Sequence, residues 1–262
     1  MHLDALQYVL GIVCGSAVGL TLGIFGGGGS IMAVPLMVYI VGVPSPHMAI
    51  GTSAFAVAAN AFTGLLSHAR HGTVKWRCAG LYSISGIIGA AAGSSLGKAV
   101  DGQKLLLLFA LLMLVVGAMM FKGRGDEGNP GAECTLQKSP KVLGYGAITG
   151  AFSGFFGIGG GFLIVPGLVA STGMPILNAI GSSLVAVAAF GLTTSANYAV
   201  SGLVDWPLAI LFVVGGIFGG YAGTIISRRM AKTKGRLNIA FACLIFCVAL
   251  YMIWRGIGTL MV

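Results

Sequence analysis

The sequence predicts an all-α polytopic membrane protein made of two inverted repeats. Each repeat is a glycine-broken helical segment, re-entrant or split, followed by three spanning helices. Three observations lead there. Of the 262 residues, 56% are apolar and 8% charged, against roughly 25% charged in soluble domains, too few to cover a water-facing surface. The apolar residues fall in eight runs, at about 8–41, 47–67, 78–97, 105–121, 142–171, 176–200, 206–226 and 237–254. Most reach the ~20 residues that carry a helix across hydrocarbon. Finally, one stretch is written twice. Phe25-Gly26-Gly27-Gly28-Gly29-Ser30, closing on Val34-Pro35, returns 131 positions later as Phe156-Gly157-Ile158-Gly159-Gly160-Gly161, closing on Val165-Pro166.

Taken in order, residues 1–8 lack the positive segment of a signal peptide, so the first run is expected to belong to the mature protein. That run is interrupted at Gly26–Gly29. Consecutive glycines are costly inside a helix. In a membrane such a break is tolerated only where the freed N–H and C=O groups line a cavity or pack inside protein. About 18 apolar residues precede Gly26 and about 12 follow Gly29, which fits a full helix plus a half-helix, a re-entrant hairpin or two tilted spans. The second run opens with Gly51-Thr52-Ser53, matched 130 positions on by Gly181-Ser182-Ser183, and Gly72 and Trp76 are matched by Gly202 and Trp206. The polar stretch 122–141 divides the chain into an N-terminal transmembrane repeat (1–121) and a C-terminal one (142–262). Duplicated, interrupted apolar segments at matching positions are the sequence mark of a transporter's binding site.

Charge placement sets the topology. The formal charge of +9 comes from 15 Lys+Arg against 6 Asp+Glu, and the basic residues sit in short loops, where they orient helices rather than bind nucleic acid. If each first run crossed once, the two sides would hold 7 and 8 basic residues, with no bias. If each first run returns to its own side, the 67–77, central and 227–236 loops share a face holding 12, and the other keeps Lys98, Lys104 and Arg255. The positive-inside rule selects the second arrangement. It makes 122–141 a cytoplasmic linker, leaves both termini outside, and inverts the halves relative to each other.

Inversion lets the two glycine breaks enter from opposite faces and meet near the midplane. The helix resuming after each break presents unpaired N–H groups and a positive dipole end, which suit an anion. The candidate substrate-binding set is therefore Gly26, Gly27, Gly28, Gly29, Ser30, Gly157, Gly159, Gly160 and Gly161, with the hydroxyls of Thr52, Ser53, Ser182 and Ser183. Asn60 and Asn197 fit either as site residues or as interhelical hydrogen-bond partners. His68 and Arg70 stand at a predicted cytoplasmic mouth. His68 and His71 lack the carboxylate or cysteine companions of a metal site, so no metal and no cofactor is expected. No Asp, Glu, Lys or Arg lies clearly at midmembrane, so carboxylate proton relays are not evident, and no hydrolase, nucleotide or metalloprotease motif appears. The five cysteines, Cys14, Cys78, Cys134, Cys243 and Cys247, imply no structural disulfide, and Cys243 and Cys247 read as core packing.

The paired glycine stretches with their Val-Pro endings, Gly51-Thr52-Ser53, and the Gly72…Trp76 and Gly202…Trp206 endings resemble the TauE/SafE sulfite exporter family, over essentially the whole chain outside 122–141. Ile158 stands opposite Gly27, so the halves are not identical. The resemblance implies export of a small sulfur oxyanion or organosulfonate across a bacterial inner membrane. The expected protein is thus a non-enzymatic secondary anion transporter whose partners are that anion and the lipid bilayer, with no nucleic acid and a homodimer left open. A passive anion channel of the same architecture and a non-transporting membrane assembly subunit are the rival readings.

Overall fold

The computed structural model describes residues 4–122, 134, 139–157, 161–230 and 236–260. Among them the chain is helical, with no strand. α1 (Ala5–Phe25) opens at Asp4, whose backbone N–H donates to Gln7 Oε1 at 2.9 Å. It stops where Gly26 turns to φ 63°, a left-handed conformation open mainly to glycine. A 3₁₀ segment follows (Gly26–Met32), then a single α-turn, α2 (Ala33–Leu36), and a π-turn (Met37–Val41) ended by Gly42 at φ 78°. Three helix types within sixteen residues reflect the glycines and Pro35, which deny the segment a continuous i→i−4 ladder.

This broken segment does not continue away from α1. Gln7 Nε2 donates to the Val41 carbonyl at 3.0 Å, so the chain has come back to the level of α1's first turn. α3 (Pro46–Arg70) then crosses, capped by Ser45 Oγ with proline at its first position. α4 (Trp76–Lys98) returns, and α5 (Gly102–Lys122) crosses again. The second half repeats this order: α6 (Ser139–Phe156), Gly157 at φ 66°, α7 (Gly161–Thr172), α8 (Ile176–Val200), α9 (Trp206–Met230) and α10 (Arg236–Leu260).

Packing exchanges the halves. Gly11, Gly15, Gly19 and Gly23 of α1 step along Leu208, Phe212, Gly216 and Gly220 of α9, so the two helices run parallel in register. Gly89, Gly93 and Gly97 of α4 step likewise along Ala147, Ala151 and Phe155 of α6. At most of these positions an added Cβ would land on a backbone carbonyl of the partner. These are the close backbone contacts that small residues permit between helices in lipid. α3 packs on α8 and α5 on α10. Large apolar side chains face outward, among them Ile84, Ile88, Phe218, Tyr221 and Trp254, as a lipid-facing surface requires. Five described helices, α1, α3, α4, α8 and Trp206–Ser227 of α9, are long and apolar enough to cross a membrane.

Contacts also sort the helix ends. Gly102 lies against Pro46 and Arg255 over Tyr39 at 5.7 Å, while Lys98 bonds Ser201 at 2.9 Å. The starts of α1, α3, α5 and α9 and the ends of α4, α8 and α10 therefore share one face, here the amino face. Opposite lies the linker face, where Asn178 Nδ2 of α8 donates to the Thr73 carbonyl between α3 and α4 at 3.1 Å.

Two expectations about cysteine need correction. Cys78 and Cys134 form a disulfide, with Cα atoms 5.4 Å apart, tying the linker to the start of α4. Their 56-residue separation in sequence carried no pairing signal, because only the return of the chain after α5 brings them together. Cys243 and Cys247 are exposed rather than packed in the core; they share a face of α10, and it is the outward one.

Candidate functional site

Glycine builds the centre of the molecule. The 3₁₀ segment after α1 packs against α7 and α8, and its closest approach is backbone to backbone. A Cβ on Gly161 would fall on the Gly27 carbonyl, and one on Gly27 would meet Val187 and, at 2.7 Å, Gly161 Cα. The first residue of α7 thus touches the first turn after the break in the other half. The two interrupted backbones converge.

Local hydrogen bonds set this geometry. Ser183 Oγ accepts from the Gly27 amide at 3.1 Å while donating to the Ile180 carbonyl at 2.8 Å. Ser30, fully buried, donates to the Gly27 carbonyl at 2.8 Å. Gly29 packs on Thr21 and Leu22 of α1, and its carbonyl accepts from Thr21 Oγ1 at 3.1 Å. Gly26 leaves room for the Ile180 carbonyl and Ser183 Oγ, 2.7 and 2.9 Å from where its Cβ would be. Gly28 lies within the 3₁₀ turns between these anchors. In the second half Gly157 abuts the Ile50 side chain, and Ser53 Oγ donates to the Ile50 carbonyl at 3.1 Å. Gly159 and Gly160 lie outside the described residues.

The remaining hydroxyls do something else. Thr52 Oγ1 accepts from the Asp205 amide at 2.9 Å, and Ser182 Oγ from the Lys75 amide at 2.8 Å. Thr52 and Ser182 are matched at offset 130, as are Lys75 and Asp205. Each hydroxyl therefore holds the turn before α4 or α9 of the opposite half. Asn60, 2% exposed, presses its amide against Gly216 of α9, with neither side-chain atom hydrogen-bonded within the protein. Asn197 stands away from the centre, on the amino face, donating to Ser94 and Ser95 and accepting from Lys98. His68 is buried with Nδ1 3.0 Å from Thr73 Oγ1, and Arg70 is exposed at the end of α3. Both stand on the linker face.

Sequence reasoning passed over one contact beside the site. The Tyr82 and Thr149 hydroxyls lie 2.7 Å apart, both buried, and Tyr82 Oη faces Gly167 of α7. Comparing the halves position by position would have exposed it: Thr149 stands opposite Val18, Tyr82 opposite Phe212, and Asn60 opposite Phe190. Departures from the repeat mark where the two sides of the molecule differ chemically.

By its long apolar helices the chain is a multi-pass helical membrane protein. The profile described as "Sulfite exporter TauE/SafE" matches residues 11–252. A "Probable membrane transporter protein" of Xylella fastidiosa (strain 9a5c) is 51% identical over 96% of this chain and 97% of its own length. The "Probable membrane transporter protein YunE" of Bacillus subtilis (strain 168) is 26% identical over 96% of this chain and 99% of its own. No solved structure matches. The chain belongs to the TauE/SafE sulfite exporter family of membrane transporters.

Proposed function

We propose that the protein is a secondary transporter that exports sulfite, or a related small sulfur oxyanion or organosulfonate, across the inner membrane. Its two halves are inverted repeats, each opened by a re-entrant, glycine-broken segment. The observation that carries this reading is the meeting of Gly27 and Gly161 beside Ser183. No Lys, Arg, Asp or Glu occurs in 26–41, in α7 or in α8, so an anion here is solvated by amides and hydroxyls alone. Ser183 Oγ, a neutral acceptor, takes the Gly27 amide. An anion oxygen entering there forms the stronger, charge-assisted bond, yet meets no permanent countercharge that would hold it against release.

The family's sulfite connection supplies the substrate class, and the return of Val41 to Gln7 supports the re-entrant reading. Transport in purified proteoliposomes is the test. The wild type moves sulfite, and sulfite or a related anion raises the melting temperature of the purified protein, because a ligand that binds only the folded state stabilises it. Gly161→Ala places a methyl group on the Gly27 backbone, a collision no rotamer relieves. Overpacking of this kind costs about 1–3 kcal/mol, and a transition state perturbed by that amount loses roughly 5- to 150-fold in rate. A Gly161→Ala protein that is inserted, folded and transports at the wild-type rate would sink the assignment.

A further inference from the structure

We infer a second anion station, on the amino face, formed by Lys98 at the end of α4, Tyr198 at the end of α8 and His47 in the first turn of α3. The inference rests on the anion-transport reading above and adds to it the place where the anion pauses on its way out.

Lys98 Nζ donates to the Asn197 carbonyl at 3.0 Å, to Asn197 Oδ1 at 2.8 Å and to Ser201 Oγ at 2.9 Å. All three acceptors are neutral, so they orient the ammonium without cancelling its charge. The same nitrogen lies 5.8 Å from the centre of the Tyr198 ring, and the His47 ring centroid is 6.2 Å from the centre of that ring. Tyr198 is fully buried, and its hydroxyl has no protein partner; nor has the buried His47 Nδ1. A buried phenol left unpaired carries a desolvation penalty. Two such groups on neighbouring rings, one of them facing a retained positive charge, supply what a three-oxygen anion needs: a cation, a hydroxyl donor and an imidazole nitrogen that donates in the right tautomer. The first turn of α3, which carries His47, adds its own dipole.

The position suits an exit. Tyr198 Cβ lies 2.9 Å from where a Cβ on Gly51 would stand, directly before Thr52 and Ser53. The station therefore borders the α3 segment whose next turn flanks the central site. The repeat places Arg228 and His68 at the corresponding positions, 130 residues away from Lys98 and Tyr198. A basic residue is thus written at the same point of both halves, one for each face.

A plain structural role for Lys98, capping the carboxyl end of α8, predicts different behaviour. The experiment is sulfite transport by proteoliposomes of known orientation, with sulfite presented at either face, for the wild type, Tyr198→Phe, His47→Leu, Lys98→Gln and Lys98→Arg. Tyr198→Phe keeps the ring packing and removes only the hydroxyl. The expected result is a rise of roughly tenfold in apparent KM at the amino face, for Tyr198→Phe through the loss of one hydrogen bond to a charged ligand and for Lys98→Gln through the loss of the facing charge. Expected with it are a smaller rise for His47→Leu, partial rescue by Lys98→Arg, and an unchanged KM at the linker face. Unchanged KM at the amino face in all variants overturns the station while leaving the transport reading intact. So does an equal loss at both faces with a lowered melting temperature, which marks a structural cap. A wild type that moves no sulfur oxyanion removes the transport reading and the station together.

Discussion

At the scale of single residues, position separates two kinds of hydroxyl that look alike in the sequence. Ser183 touches the Gly27 amide, whereas Thr52 and Ser182 hold the amides of Asp205 and Lys75 in the opposite half. Ser182→Ala and Thr52→Val each remove the hydroxyl acceptor of a part-buried backbone N–H, a loss of about 0.5–1.5 kcal/mol. Both variants are expected to melt earlier while keeping the wild-type KM for sulfite. Ser183→Ala is expected to raise that KM, because the group that orients the Gly27 amide is gone. Thermal unfolding and transport, measured on the same preparations, separate the two outcomes. Not every glycine matters equally: Gly144, exposed on α6, would meet nothing within 4 Å as alanine. Gly144→Ala is therefore expected to leave transport unchanged and to stabilise the helix by about 0.5–1 kcal/mol.

At the scale of elements, glycine spacing was the legible signal. The breaks at Gly26 and Gly157, the turns at Gly42, Gly72, Gly173 and Gly202, and the paired hairpins all follow from where glycine adopts positive φ. Residues that act across helices were harder to see. Tyr82 reaches Thr149 over a separation of 67 residues, and the Thr52–Asp205 bond spans 153; no local pattern announces either. The exposure of Cys243 and Cys247 was misread because in a membrane an apolar helix face points to lipid as readily as to a core. The Cys78–Cys134 bond belongs to this scale as well. It fastens the segment joining the halves to α4, one turn before Tyr82. If the linker lies in the cytoplasm, a reducing compartment, the two cysteines are expected as thiols in growing cells, with the bond appearing after purification in air. Alkylation of intact cells before lysis, read by mass spectrometry, checks this. A quantitative bond in living cells would place the linker face outside.

For the whole molecule, orientation decides which face meets the cytoplasm, and two lines bear on it. The first is spatial. Val41 returning to Gln7, Asn178 to Thr73 and Lys98 to Ser201 sorts the helix ends into two faces without any appeal to charge. The second is the sequence itself. The segments that connect helix ends on the linker face hold twelve of the fifteen Lys and Arg residues, leaving Lys98, Lys104 and Arg255 to the amino face. The face that these contacts define around the linker is thus also the face that carries most of the basic residues. Because basic loops are retained in the cytoplasm, the linker face is expected inside and the amino face, with both termini, outside. On that orientation the Lys98 station proposed above faces outward, where an outgoing anion would meet it last. Reporter fusions at residue 262 and within 122–141 give opposite readings if this holds. A carboxyl terminus found in the cytoplasm would reverse both faces and move the Lys98 station to the cytoplasmic mouth.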